Sequence, residues 1–126
     1  MVTILAVDDD PNLLRALGVL FEEEGYRVLT ACDAQAAMAI AVAERPDVIL
    51  TDYMMPGING AEFCRRLKSN FTTARIPVVV LTALYPPPSA SEDLWHAVLT
   101  KPVSVANLLK AVRAFWDRTG PNAPAC

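Results

Sequence analysis

Short runs of apolar residues alternate along this chain with segments whose apolar residues recur at helical spacing. The runs predict strands at residues 3–8, 27–31, 47–52, 76–82 and 97–100. The segments between them predict helices at residues 12–24, 34–44, 60–69 and 104–117, with a weak helix near 89–95. Such alternation predicts an α/β domain in which helices cover both faces of a doubly wound parallel sheet. No internal repeat or linker divides residues 1–118, so we expect one domain there.

Polar and proline residues mark several boundaries of these elements. Asp10, followed by Pro11, predicts the N-cap of the first helix, and Asp33 predicts that of the second. Residues 86–88 are three prolines, which lack the amide donor, so the fourth helix is expected to be shortened, displaced or absent. Residues 119–126 lack periodicity and predict a flexible Pro/Gly tail or the start of a linker.

Composition narrows the class of protein. Of the 126 residues, 53% are apolar and 20% are charged, which is typical of one globular domain with its own core. The net charge of -3 gives no electrostatic footprint for direct binding of nucleic acid. The sequence shows neither a signal peptide nor a membrane span, and its three cysteines lack metal-ligand spacing. We therefore expect a cytoplasmic protein with reduced thiols.

Four of the predicted strands end on residue types that phosphoryl chemistry uses. The strand ends are Asp8-Asp9-Asp10, Asp52, Thr82 and Lys101-Pro102. Open α/β sheets place ligands just beyond the carboxyl ends of their strands, so these residues are expected to converge on one crevice. Clustered carboxylates repel one another unless a cation lies among them, which favours a hard divalent ion such as Mg2+. The lysine and the threonine could then hold the oxygens of a phosphoryl group.

These segments together resemble the receiver domain of two-component response regulators, from about Val2 to Arg118. The resemblance rests on Asp8-Asp9-Asp10-Pro11, on residues 52–60, on Leu81-Thr82-Ala83 and on Lys101-Pro102. It implies a flavodoxin-like fold of five strands in the order 2-1-3-4-5, with its site between strands 1 and 3. It also implies a signalling domain that is not an enzyme, although such domains assist their own phosphorylation and dephosphorylation.

The resemblance assigns a role to each residue at this edge. Asp52 would be the phosphoacceptor, and Lys101 would donate to a phosphoryl oxygen. Mg2+, or another divalent cation such as Mn2+, would be held by Asp9 directly and by Asp8 through water. Asp52 and the backbone carbonyl of Met54 would complete the protein ligands. The supporting roles would fall to Thr82, whose hydroxyl turns toward the phosphoryl group, Ala83, which leaves room for the donor, and Pro102, whose peptide bond is cis in the family.

One position departs from the family. Receivers commonly carry Tyr or Phe three positions before the lysine, whereas this chain has Val98. We therefore expect phosphorylation to order the loop between Ala83 and Trp95 without flipping an aromatic ring. The irregular fourth helix also predicts that the symmetric dimer made through it is weak or absent, leaving a monomer or weak dimer.

The expected partners are a sensor histidine kinase or phosphotransfer protein and an output partner that the sequence does not name. On the first helix, apolar spacing predicts that the core residues are Leu13, Leu17, Leu20 and Phe21. This leaves Leu14 and Gly18 on the outward side, as a knob and recess for docking the kinase.

Two alternatives remain at this stage. Asp8, Asp10, Thr82 and Lys101 also resemble motifs of haloacid dehalogenase-type phosphatases, with Asp8 as the nucleophile and Asp10 as the general acid. That reading leaves Asp52 without a role. A receiver-like module that binds partners without being phosphorylated is the other alternative. The length leaves no room for an output domain, so we expect a stand-alone receiver or a fragment of a larger regulator.

Overall fold

The sheet has five parallel strands in the order β2-β1-β3-β4-β5. The computed structural model describes residues 1–55, 57–83 and 95–119. The strands within these residues are β1 (Thr3–Val7), β2 (Arg27–Ala31), β3 (Val48–Asp52), β4 (Val78–Thr82) and β5 (Ala97–Thr100). The fold class and the strand order predicted from the sequence are confirmed.

Four helices lie within the described residues. They are α1 (Pro11–Glu23), α2 (Ala34–Glu44), α3 (Gly60–Ser69) and α4 (Val105–Thr119). The weak helix expected near residues 89–95 falls outside the described residues except for Trp95, as do the proline triplet and the chain beyond Thr119.

The predicted caps of the first two helices are present. The Asp10 carboxylate accepts from the backbone N–H of Asn12 at 2.9 Å, and Pro11 occupies the first turn of α1. The Asp33 carboxylate accepts from the backbone N–H of Ala36 at 2.7 Å. Each carboxylate thus satisfies an amide that the helix itself leaves unpaired.

Two apolar clusters cover the two faces of the sheet. In the first cluster, alternate strand residues pack against α2 and α3, and its fully buried members include Ile49, Phe63 and Val80. The second cluster joins the opposite face to α1 and α4 and includes Ile4, Phe21 and Val112. Because both faces are covered, the central strands β1, β3 and β4 are buried along their whole length and mainly apolar, whereas the edge strands β2 and β5 are partly exposed.

The predicted orientation of α1 was wrong. Leu14 is only 7% exposed and Gly18 is also buried, whereas Leu13 and Leu20 lie half-buried at the margins. The buried face follows the i, i+3, i+4, i+7 spacing from residue 14, so Leu14 is a core residue and not an exposed knob. The proposed docking pair therefore has no exposed leucine.

Truncating Leu14 should consequently destabilise the protein. We expect Leu14→Ala to lower the free energy of unfolding by about 2–3 kcal/mol, because it removes buried methyl groups from the second cluster. Val19 is 55% exposed on the same helix, and Val19→Ala should change stability by less than about 0.5 kcal/mol. Urea unfolding of both variants would measure the difference, and equal effects would contradict the assignment of the buried face.

Candidate functional site

Three carboxylates meet at the carboxyl edge of the sheet. Asp8 and Asp9 directly follow β1, and Asp52 is the last residue of β3, which pairs with β1. Carboxylate oxygens of the three residues lie within 4.8 Å of one another. Asp8 and Asp52 are buried, whereas Asp9 is exposed. The edge therefore presents hard oxygen donors, partly enclosed by protein, of the kind that Mg2+ prefers.

A lysine from the far side of the sheet reaches the same carboxylates. Lys101 directly follows β5, and its Nζ lies 3.2 Å from Oδ2 of Asp8 and 3.4 Å from Oδ1 of Asp52. Its backbone N–H donates to the carbonyl oxygen of Thr82 at 2.7 Å, which fixes the turn at the end of β5. The structure thus brings together Asp8, Asp9, Asp52 and Lys101.

Burial and charge shift the proton affinities of this group. Burial raises the pKa of Asp52, and the neighbouring Asp8 raises it further, although the attraction of Lys101 opposes both. Burial lowers the pKa of Lys101, but its attraction to Asp52 and Asp8 outweighs this and leaves the pKa above its usual value. Lys101 is therefore protonated at neutral pH. One ammonium against three carboxylates leaves a negative site, whose charge and donor atoms fit a divalent cation.

Backbone contacts hold the end of β3 in place. The Asp52 carboxylate accepts a hydrogen bond from the backbone N–H of Met54. The backbone N–H of Tyr53 donates to the carbonyl of Leu81 at 2.9 Å, and that of Gly60 donates to the carbonyl of Tyr53 at 2.7 Å. The residues after Asp52 are therefore fixed both to β4 and to the first turn of α3.

Gly60 has a steric role, which could not be read from its position at the end of residues 52–60 in the sequence. A Cβ atom built on Gly60 would lie 2.8 Å from Cα of Tyr53 and 3.1 Å from the carbonyl oxygen of Asp52. Both are backbone atoms, so no side chain can turn aside to make room. The start of α3 can lie this close to the end of β3 only without a side chain at residue 60.

The supporting residues named from the sequence surround the same edge. Thr82 ends β4 and is fully buried, and Ala83 beside it is exposed. The Lys101–Pro102 peptide bond is cis. A pocket of about 560 Å³ between α1 and the start of α4 is lined in part by Ala83, Lys101 and Pro102. Val98 lies half-buried against the first cluster.

Two residues near β5 have contacts that were not foreseen. Trp95 is buried, and its ring meets that of Tyr53 edge to face with centroids 6.0 Å apart. His96 is exposed, and its ring packs edge to face against that of Phe115, with centroids 5.6 Å apart. Its Nδ1 also accepts from the backbone N–H of Val78 at 3.1 Å, which pairs the starts of β4 and β5.

Among the described residues, no helix combines the length and the apolar character that crossing a membrane requires.

Comparison with known proteins gives a consistent result. The family model for the response regulator receiver domain matches residues 4–113. The chain is 38% identical over 122 residues to the phosphate regulon transcriptional regulatory protein PhoB of Pseudomonas aeruginosa, covering 94% of this chain and 53% of PhoB. It is 36% identical over 120 residues to protein PilH of the same organism, covering 90% of this chain and 97% of PilH. The chain thus spans about half the length of PhoB but nearly all of PilH.

Solved structures agree with the sequence comparison. A chemotaxis response regulator of Vibrio cholerae superposes with a TM-score of 0.82 at 29% identity, covering 91% of this chain and 98% of that one. The signal receiver domain of a signal transduction histidine kinase from Syntrophus aciditrophicus has a TM-score of 0.86 at 28% identity, covering 100% of this chain and 98% of that one.

Proposed function

Because this chain belongs to the receiver domain family of two-component response regulators, in which phosphorylation controls signalling, we propose that Asp52 is the residue that accepts the phosphoryl group. The observation that supports this most directly is the ion pair of 3.4 Å between Asp52 and Lys101, beside the carboxylates of Asp8 and Asp9. A buried carboxylate with a cationic neighbour is placed to attack a phosphoryl donor whose charge would otherwise repel it.

The donor is a phosphohistidine of a sensor histidine kinase or of a phosphotransfer protein. A carboxylate oxygen of Asp52 attacks the phosphorus, a P–O bond forms and the P–N bond to the imidazole breaks. The electron pair of that bond stays on the imidazole nitrogen, which takes up a proton from solvent. Lys101 donates to an oxygen of the transferred group, and the Thr82 hydroxyl, at the end of the next strand, donates to another.

Mg2+ or Mn2+ would be held by Asp8, Asp9, Asp52 and the Met54 carbonyl, and when bound it neutralises charge on the carboxylates and the phosphoryl group. Asp9 is the exposed member of the three acids and so the one open to a hydrated ion. Asp8 is buried, and its Oδ1 already accepts from the backbone N–H of Asp10 at 2.9 Å. This arrangement suits an ion that keeps several waters.

The domain comprises residues 1–118 and acts as a signalling component rather than as an enzyme with a substrate of its own. Phosphorylation biases its surface toward an output partner, which is either a further domain or a separate protein.

The protein works in the cytoplasm and binds neither nucleic acid nor membrane directly. Its change on phosphorylation occurs between Ala83 and Trp95, and it is a monomer or weak dimer. Residues 84–94, where most of that change would lie, fall outside the described part.

The phosphatase alternative is not favoured by the geometry at Asp10. The Asp10 carboxylate caps α1 by accepting from the backbone N–H groups of Asn12 and Leu13 at 2.9 and 3.4 Å, so it is engaged away from Asp8. The two readings differ in the residue that carries phosphate. Incubation with acetyl phosphate and Mg2+, followed by mass spectrometric mapping, should place the phosphate on Asp52, and phosphate on Asp8 would support the phosphatase reading.

Mg2+ should stabilise the folded protein, because it relieves the mutual repulsion of the three carboxylates. At a Mg2+ concentration one hundred times its dissociation constant, we expect about 2.7 kcal/mol of added stability, seen as a rise of several degrees in melting temperature. Asp9→Asn should remove most of this rise, as should chelation of the ion. Asp47→Asn is the matched control and should keep the full Mg2+ effect, since Asp47 is exposed, directly precedes β3 at the opposite edge of the sheet, and accepts there from the backbone N–H of Thr3. An undiminished rise in Asp9→Asn would argue against Asp9 as a ligand.

A further inference from the structure

Trp95 is a buried residue whose polar atom is left unpaired. It lies just before β5 in the first cluster, is 6% exposed, and finds no hydrogen-bond partner for its indole Nε1–H within the described residues. A phenylalanine or leucine could fill apolar space there without burying an unpaired donor, which costs free energy. Filling the core therefore does not by itself explain why an indole occupies this position.

The reach of the indole gives it a contact that a smaller side chain would lack. Its ring lies edge to face with that of Tyr53, with centroids 6.0 Å apart and planes inclined by 85°. This is the arrangement that aromatic pairs favour. Tyr53 itself is half-buried and packs against the same cluster, so its ring has a defined position.

Tyr53 lies between two groups assigned to the metal site. It follows Asp52 and precedes Met54, whose backbone N–H donates to the Asp52 carboxylate. Two backbone hydrogen bonds, to Leu81 and from Gly60, hold Tyr53 at 2.9 and 2.7 Å. The ring contact with Trp95 is a third restraint, made by a side chain that directly precedes β5 and is distant from Tyr53 in sequence.

We propose that Trp95 is a positioning residue for the metal site. Its ring holds Tyr53, and Tyr53 in turn holds the Met54 backbone and the Asp52 carboxylate in the arrangement that binds the cation. The inference rests on the proposed function, because it takes the Mg2+ site formed by Asp8, Asp9 and Asp52 as given. If Trp95 has this role, the Mg2+ affinity of the site depends on how the residue that directly precedes β5 is packed.

The test is a double-mutant cycle on Mg2+ affinity, measured by isothermal titration calorimetry. Trp95→Leu and Tyr53→Leu should each weaken Mg2+ binding roughly three- to tenfold, the range expected for one aromatic pair. The double variant should bind no more weakly than either single variant, because both remove the same contact. Tyr53→Phe keeps the ring and should bind Mg2+ like the unaltered protein.

A variant destabilised elsewhere separates positioning from general loss of stability. Val112→Ala truncates a fully buried residue of the second cluster, on the opposite face of the sheet, and should leave Mg2+ affinity unchanged. The inference would be overturned if Trp95→Leu and Tyr53→Leu bound Mg2+ as tightly as Val112→Ala. It would also be overturned if the effects of the two substitutions on Mg2+ affinity were independent and multiplied in the double variant. If Trp95→Leu does not fold, the comparison of Mg2+ affinity between Tyr53→Leu and Tyr53→Phe tests the inference alone. Failure of the unaltered protein to bind Mg2+ would instead overturn the metal site, and the inference with it.

Discussion

Replacing Asp52 with asparagine should abolish phosphorylation by acetyl phosphate and Mg2+ while leaving the fold intact. The amide has the same shape, but it offers neither the nucleophilic oxygen nor the charge that pairs with Lys101 at 3.4 Å. Intact mass spectrometry would show the phosphorylated species in the unaltered protein and none in the variant. Asp10→Asn is the control, because it keeps a helix-capping side chain and should be phosphorylated normally.

The same substitution should raise stability at neutral pH in the absence of metal. Burial raises the pKa of Asp52 in the folded protein, so folding favours the protonated carboxyl and disfavours the carboxylate. The stability linked to that proton is fully present below the pKa that Asp52 has in the unfolded chain. It is lost as the pH rises through the higher pKa that Asp52 has in the folded protein. Asp52→Asn avoids this loss. In urea unfolding, the free energy of unfolding of Asp52→Asn should exceed that of the unaltered protein at neutral pH, and the difference should shrink in acid. A variant that is less stable than the unaltered protein at neutral pH would contradict this account.

Placing any side chain at residue 60 should be severely destabilising. A Cβ atom there would lie 2.8 Å from Cα of Tyr53, and the hydrogen bond of 2.7 Å from Gly60 to the Tyr53 carbonyl prevents the two backbones from separating. We expect Gly60→Ala to cost about 2–4 kcal/mol in urea unfolding, the range for a core change that forces the backbone to move. The segment after Asp52 should be displaced as well, so phosphorylation at the proposed acceptor should be slower.

Gly18 provides a matched control for that substitution. It is also a helical glycine, but a Cβ atom there would meet only Oε1 of Glu22, at an ordinary 3.6 Å. Gly18→Ala should therefore stabilise the protein by about 0.5–1 kcal/mol, because alanine loses less conformational freedom in a helix. Similar effects of the two substitutions would show that the close approach at Gly60 does not constrain the fold.

The sheet and its edge were predictable from the sequence for a simple reason. Strands buried on both faces are mainly apolar, so a charged residue at the end of one stands out, as Asp52 does at the end of β3. Parallel strands then place these residues at one edge, and the geometry of Asp8, Asp9, Asp52 and Lys101 follows. Their roles in phosphoryl transfer remain predictions for the experiments described above.

The face of α1 was not predictable in the same way. Leu13 and Leu14 are adjacent and equally apolar, so helical spacing can be drawn from either, and the position of the sheet decides between them. The steric role of Gly60 and the Tyr53–Trp95 contact depend on distances between elements that are far apart in sequence. No local pattern encodes such distances. The expected effect of Val98 on the switch stays a prediction, since residues 84–94 lie outside the described part.

The position of Lys101 between Asp8 and Asp52 has a consequence for the order of events at the edge. In the resting protein its ammonium occupies the surroundings of both carboxylates, at 3.2 and 3.4 Å, and so competes with any arriving cation. A phosphoryl group on Asp52 would offer the ammonium a new partner and leave Asp8 open to the ion. A phosphoryl group on Asp52 would thereby raise the affinity of the carboxylates for the cation, and a bound cation would in turn favour the phosphorylated state. Through this reciprocity Lys101 would couple two different ligands within a single domain.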